Sequence, residues 1–281
     1  MALIPAAEVH LDAALARGLI EAQFPSLSQA RVEPLGEGWD NFVFLVNGAW
    51  VFRFPRRAAA VPLLETELRV LPRIAPLLPL PVPVPELRGS PDPRFPWPFA
   101  GHRLIGGETA DRAALSDAER AALADPLATF LRALHALAPS GVGPDAIGRL
   151  DAPRLRAAIR ARLPSPPPWI DEAVRPARAE TLVHGDLHAR QLLIASGRLG
   201  GVIDWGDLHL GDRAVDLAVA HTLLPPDARR GFLAAYGEVD PPTWKLARLR
   251  ALHVSAALWT WARQRGDAPL AREAMAAIER A

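Results

Sequence analysis

Leu182-Val183-His184-Gly185-Asp186-Leu187-His188 and Gly201-Val202-Ile203-Asp204-Trp205-Gly206 are the two stretches that decide how this chain reads. Asp186 and Asp204 stand eighteen residues apart, and Gln191 follows Asp186 by five. Each acid comes after an apolar, strand-like run: Thr181-Leu182-Val183 before the first, Leu199-Gly200-Gly201-Val202-Ile203 before the second. The layout predicts two carboxylates at adjacent strand ends, with a third polar group nearby. Phosphoryl transfer asks for such a set. One carboxylate orients an attacking hydroxyl and accepts its proton late, and another, with a partner, holds Mg²⁺ against the phosphates.

An Asp after a Gly, taken alone, reads as a turn cap. The pairing of the two motifs favours Asp186 as the group that addresses a hydroxyl. Asp204 ends an apolar strand, where an ionised carboxylate is costly unless it is paired or bound to metal. Mg²⁺ takes carboxylate oxygens together with phosphates and waters. Gln191 has two readings that both stand: a neutral carbonyl ligand for the same ion, or a plain side chain leading into the strand Leu192-Leu193-Ile194. His188 and Arg190 flank the Asp186 loop and are candidates to donate to the transferring phosphate. His184, Asp212 and Asp216 read as structural, and His135 as a core histidine.

Working outward towards the N-terminus, Ala6 to Gln23 is expected to be a helix, closed by Phe24-Pro25. Val32-Glu33-Pro34-Leu35 leads through Gly36-Glu37-Gly38-Trp39-Asp40-Asn41 into Phe42-Val43-Phe44-Leu45-Val46. Asn47-Gly48 signals a two-residue hairpin back into Trp50-Val51-Phe52-Arg53-Phe54. Gly36, Gly38 and Asn41 mark a segment whose backbone N–H groups are able to approach phosphate. Arg53 on the returning strand has the reach for phosphates, and Glu67 on an expected helix, Val61 to Ile74, is placed to hold its guanidinium. Glu65 competes for that role.

Ten prolines between Pro72 and Pro98 imply an extended connector. One more strand is expected within Trp97 to Ile105, and Gly106-Gly107 divides a first domain, 1–105, from a second, 106–281. The second reads as helical: about 116–138 from a capping box at Ser116, then 152–163, 213–224, 242–265 and 268–280. A small β-rich lobe followed by a larger, mostly helical lobe predicts a bilobal α+β fold.

Composition narrows the function. The chain of 281 residues carries a net charge of +1, which gives no electrostatic case for nucleic acid. Lys245 is the only lysine, so a lysine-dependent phosphate loop is excluded and arginine must serve on the N-terminal strands. Cysteine is absent, which removes thiolate and disulfide chemistry. No apolar run is long enough for a membrane span, and Met1 to Pro5 lack the start of a signal peptide. A cytoplasmic protein, monomer or dimer, with no membrane partner is the expectation.

With these residues in view, the chain resembles the aminoglycoside phosphotransferase family, including its macrolide phosphotransferase relatives. Gly211-Asp212, Gly38-Trp39-Asp40-Asn41 and Val51-Phe52-Arg53-Phe54-Pro55-Arg56 add to the two central motifs in the expected order. The resemblance implies a protein-kinase-like fold that binds ATP or GTP with Mg²⁺ between its lobes and phosphorylates a small-molecule alcohol. It implies that Asp186 is the catalytic Asp, Asp204 a metal ligand, and Arg53 the stand-in for a lysine with Glu67 as partner. His102, Leu104 and their neighbours up to Ile105 would form a hinge against the base. His188 would lie near the γ-phosphate, and Asp216 beneath the catalytic loop. Most members carry Asn where this chain has Gln191, one methylene longer. Two other readings compete: a metal-dependent phosphoesterase, for which Asp-x-His and Gly-Asn-His/Asp are missing, and a nucleotide-binding module without transfer, suggested by Gln191. The segment after Asp216 mixes acids with at least as many bases, which leans towards a neutral or apolar-bodied alcohol.

Overall fold

The computed structural model describes residues 6–138 and 140–281; the reading of Met1 to Pro5 therefore lies outside the described residues. The chain divides into two compact units, Met1–Pro76 with Val82–Ile105, and Leu77–Pro81 with Gly106–Ala281.

The first unit opens with α1 (Ala13–Gln23). This helix starts seven residues later than the apolar spacing from Ala6 suggests, because Asp12 caps it: its carboxylate accepts from the Leu15 N–H at 2.8 Å. Strands β1 (Val32–Glu37), β2 (Asn41–Val46) and β3 (Trp50–Pro55) follow, then α2 (Val61–Ile74), β4 (Leu87–Gly89) and β5 (Phe99–Arg103). The five strands form one antiparallel sheet in the order β1-β2-β3-β5-β4. β4 went unread within the proline-rich stretch; it is an edge strand, where prolines cost no ladder bonds. The β2–β3 turn is one residue longer than expected: Val46 pairs with Trp50. Asn47 and Gly48 still take the left-handed conformation, at φ 52° and 63°. One face of the sheet packs a phenylalanine core against α1. Phe52, Phe54, Phe95 and Phe99 are fully buried, and the Phe54 and Phe99 rings stack 4.4 Å apart. A Cβ at Gly89 would lie 2.2 Å from the Phe99 ring, so β4 closes over that ring only with glycine there.

The second unit begins its regular structure with β6 (Glu108–Thr109), α3 (Asp117–Ala122) and α4 (Ala124–His135). The capping box at Ser116 is present, but one long helix was expected and two are found. Pro126 has no N–H for the Ala122 carbonyl, and the chain turns at Leu123, whose N–H bonds back to Arg120 O at 3.1 Å. Next come α5 (Ala152–Arg162), β7 (Thr181–Val183), β8 (Leu192–Ala195), β9 (Arg198–Val202), β10 (His209–Gly211), α6 (Ala214–Leu223), α7 (Arg229–Tyr236), α8 (Pro241–Arg265) and α9 (Ala268–Arg280). α7 was not expected. It opens on Arg229-Arg230-Gly231, which reads as loop, and its Phe232 and Tyr236 are buried. β7 pairs with β10, and β6-β8-β9 form a small sheet. Every residue of α6 is buried, so it is the central helix of this unit, with α8 and α9 packed on it. None of the described helices is long and apolar enough to cross a membrane.

Candidate active site

In the first unit, the Gly36–Asn41 segment is a tight turn whose Gly38 N–H donates to Asn41 O at 3.0 Å. Two arginines just past β3 hold it: Arg56 donates to Gly38 O at 2.8 Å and Arg57 to the Asp40 carboxylate. A Cβ at Gly36 would meet nothing within 4 Å, and one at Gly38 only Asn41 O at 3.7 Å, so that side of the turn is open. Asn41 Oδ1 is buried and has no hydrogen-bond partner among the described residues.

Arg53 and Glu67 meet. The Arg53 guanidinium donates to the Glu67 carboxylate, with side chains 10% and 3% exposed. Glu65 is exposed on another face of α2, so Glu67 alone makes the pair. His102 on β5 is buried and donates from Nδ1 to Arg103 O at 2.8 Å. Burial, reinforced by the Arg53 charge and opposed by that hydrogen bond, pushes its imidazole down to about 4, leaving a neutral ring at pH 7. Leu104 is exposed, and its N–H donates to Ala49 O at 2.9 Å.

In the second unit, the loop carrying Asp186 is clamped from below. The fully buried Asp216, on the first turn of α6, accepts from the His184 N–H at 2.7 Å and the Gly185 N–H at 2.9 Å. His135 Nε2 lies 3.1 Å from the same carboxylate, and its Nδ1 2.7 Å from the Tyr236 hydroxyl. Gly185 has φ 91°; a side chain there would collide with Asp207 O, 2.2 Å from an added Cβ. His184 ties the two motifs together, donating from Nε2 to Ile203 O at 3.0 Å while its ring rests on buried Trp205.

Asp186, so presented, keeps 37% of its side chain exposed. His188 Nε2 lies 3.5 Å from its Oδ2 and Arg250 Nη2 3.4 Å from its Oδ1. Burial alone would raise the Asp186 carboxyl. The His188 hydrogen bond and the His188, Arg250 and His184 charges outweigh it and hold the carboxyl at about 2. Arg190 is turned onto the Trp261 ring, 4.9 Å from its centroid, and among the described residues it makes no ion pair with Asp186.

Asp204 adopts φ 64°, a strained conformation for a residue with a side chain. The Ile203 N–H beside it donates to Gln191 O at 2.9 Å, which joins the two motifs next to the acid. Gln191 Oε1 is buried with no hydrogen-bond partner among the described residues, and such an atom is costly to leave unpaired. One carboxylate and one orphaned carbonyl oxygen are hard donors suited to Mg²⁺, which fills its remaining positions with phosphates and water. The residues present fit that ion.

Sequence reading missed Asp207, Arg149 and Arg250. Burial first, then the Asp186 charge, raises the Asp207 carboxyl. Arg149, on the loop before α5, pairs with both Asp207 and Asp145. Asp207 had a signal as a third acid just past Asp204. The two arginines come from distant segments and had none.

The family model described as Phosphotransferase enzyme family (APH) matches residues 31–252. The chain belongs to that family. Among its relatives, the aminoglycoside 3'-phosphotransferase of Escherichia coli is 31% identical over 161 residues, which is 50% of this chain and 59% of that protein. The chain thus matches under two thirds of the curated relative's length. Among solved structures, the GDP and kanamycin complex of APH(2")-IIia aligns with a TM-score of 0.68 at 26% identity, covering 94% of this chain and 97% of that one. The macrolide 2'-phosphotransferase MphH from Brachybacterium faecium aligns at 0.62 and 22% identity, covering 92% and 97%. The family fold is protein-kinase-like, with a small antiparallel sheet followed by a helical region, as the resemblance implied.

Proposed function

We propose that this chain is a nucleotide-dependent O-phosphotransferase that moves the γ-phosphate of ATP or GTP to a hydroxyl of a small molecule. The observation that carries this reading is the Asp216 clamp: a buried carboxylate holds the His184 and Gly185 amides and presents a half-exposed, ionised Asp186. The acceptor hydroxyl donates to Asp186, which aims its oxygen at the γ-phosphorus. As the new O–P bond forms, the bond from that phosphorus to the β–γ bridging oxygen breaks. The proton passes to Asp186 late in the transfer, and the nucleoside diphosphate leaves. His188, beside Asp186, is placed to donate to the transferring group. Gln191 and Asp204 would hold Mg²⁺, which supplies charge neutralisation for the phosphates.

Residues 1–105 take the nucleotide-binding role and residues 106–281 the catalytic and acceptor-binding role. The Gly36–Asn41 turn approaches phosphate through its backbone, Arg53 held by Glu67 meets phosphate oxygens, and the His102–Leu104 segment lies against the base. The use of a cellular nucleotide points to the cytoplasm.

The test is a screen of the purified protein with ATP or GTP and Mg²⁺ against alcohol-bearing antibiotics and metabolites, with product read by mass. A phosphorylated alcohol, formed by the native protein and lost in Asp186→Asn, is the expected result. Near-normal turnover by Asp186→Asn would remove Asp186 from the mechanism.

A further inference from the structure

Arg250 is the least satisfied buried cation beside Asp186. It comes from α8 and is 8% exposed. Its guanidinium has five N–H donors. Among the described residues it makes two hydrogen bonds, both long: Nη2 to Asp186 Oδ1 at 3.4 Å and Nη1 with His253 Nδ1 at 3.3 Å. Two other arginine pairs of this unit are tighter and two-pronged: Arg175 on Asp212 at 2.5 and 3.0 Å, and Arg120 on Glu273 at 3.0 and 2.7 Å. Arg149, whose charge acts on Arg250, is committed to Asp145 and Asp207.

The helices behind Arg250 add charge of the same sign. Besides Arg250, α8 carries three arginines and a lysine with no acid along its length. α5, packed against it, carries four arginines and no acid. Arg154 and Arg162 of α5 lie near enough to His253 for their charges, after burial and Arg250 itself, to help drive that imidazole down to about 3. His253 is therefore neutral at pH 7 and adds no competing charge. When an acceptor hydroxyl takes Asp186, the one carboxylate hydrogen-bonded to Arg250 becomes shared; Asp207 and Asp145 also act on Arg250 but are bonded to Arg149, so the buried guanidinium keeps donors free for a further anion.

We propose that Arg250 selects the acceptor, binding a carboxylate or phosphate group that the acceptor carries beside its reacting hydroxyl and repelling polycations. This rests on the phosphotransferase reading above and adds its substrate class. Two oxygens of a carboxylate or phosphate suit the fork of Arg250, whereas an ammonium group placed against it would face a like charge.

The experiment uses matched acceptors that differ in one anionic group: galacturonate against galactose, and glucose 6-phosphate against glucose, with kanamycin as the polycation. Binding to the full chain is measured by calorimetry with Mg²⁺ and a non-hydrolysable ATP analogue. An anionic member is expected to bind about tenfold more tightly than its neutral partner. The preference should vanish in Arg250→Gln and return in part in Arg250→Lys. In Asp186→Asn, which frees Arg250 from the carboxylate it is hydrogen-bonded to, the anionic acceptor should bind more tightly than to the native chain. Loss of the Asp186 charge alone favours any anion, so the gain supports the proposal only if it shrinks when Arg250→Lys, which keeps the charge and loses the fork, is added to Asp186→Asn. Which of the two pairs responds separates carboxylate from phosphate. The proposal is overturned if neither anionic member outbinds its neutral partner, or if kanamycin binds best, while the nucleotide analogue still binds. Failure of the nucleotide analogue to bind would instead overturn the phosphotransferase reading itself.

Discussion

Replacing Asp216 with Asn tests the central device of the site, because it keeps the shape and removes half of the accepting power. The buried carboxylate takes two backbone N–H donors through different oxygens, with His135 Nε2 on the oxygen that also serves His184. In Asp216→Asn one oxygen remains for Gly185, and an amide NH₂ confronts the His184 N–H. Hydrogen bonds to a charged group contribute about 1.5–3 kcal/mol each. Losing the His184 bond and disturbing that of His135 should therefore cost about 3–5 kcal/mol. For a chain of this size that is a fall in Tm on the order of 6–12 °C. The activity effect is separate. Gly185 is held at φ 91° by this clamp, and Asp186 follows it directly. Displacement of the carboxylate by about an ångström should lower kcat by ~100-fold. Differential scanning calorimetry and steady-state kinetics with the acceptor found by the screen read the two effects. A variant that melts within about 1 °C of the native protein, where each kcal/mol is worth about 2 °C, and keeps its kcat, would refute the clamp as the source of either stability or positioning.

Gly185→Ala should destabilise by ~2–4 kcal/mol and abolish transfer, because its Cβ must displace the Asp207 backbone; urea unfolding measures it, and a native midpoint would contradict the contact. Stability should also fall with acid through His221. This ring is buried against Trp244 at 4.2 Å, and burial, followed by the Arg229 and Arg248 charges, lowers it from 6.5 to about 3. Below pH 6.5 the unfolded chain takes up a proton that the folded chain refuses until about pH 3. The folded state therefore loses about 1.4 kcal/mol per pH unit across that window from this one group. His221→Phe keeps a ring on Trp244 and should flatten the dependence by that amount, as read from urea midpoints between pH 4 and 7; an unchanged slope would mean the ring is not buried neutral.

The parts legible in the sequence were those written in local pattern. Helix α2 was expected at its observed bounds, Val61 to Ile74, because its apolar period is regular and its neighbours are turns. The strands ahead of Asp186 and the Asn47-Gly48 reversal were readable for the same reason. What local pattern misjudged were boundaries set by a single residue, such as the Asp12 cap and the missing N–H of Pro126. α7 escaped because its first turn holds a glycine and two arginines, and its helicity is repaid only by burying Phe232 and Tyr236. In the site, Glu67 was preferred to Glu65 because the two lie on different faces of the helix, and the packing of α2 brings the Glu67 face to Arg53. Arg250 lies 64 residues from Asp186 and leaves no trace in any local window.

The opposite displacement of two neighbouring carboxyls bears on what Asp186 contributes. Asp207 is raised, by burial and by the Asp186 charge, while Asp186 is held at about 2 by His188, Arg250 and His184 against its own burial. Groups pushed apart in this way usually divide acid and base roles. A carboxylate whose conjugate acid is that strong is a weak base, and by the Brønsted relation it removes little charge from an alcohol before the phosphorus is attacked. Its use must lie in orientation and in taking a proton that the oxygen has already made acidic by bonding to phosphorus. A loose transition state asks for that and no more. The groups crowding Asp186, His188 and the Arg250 guanidinium among them, therefore do not impair it: by keeping it ionised through neutral pH, they keep the hydroxyl pointed at its target in every encounter.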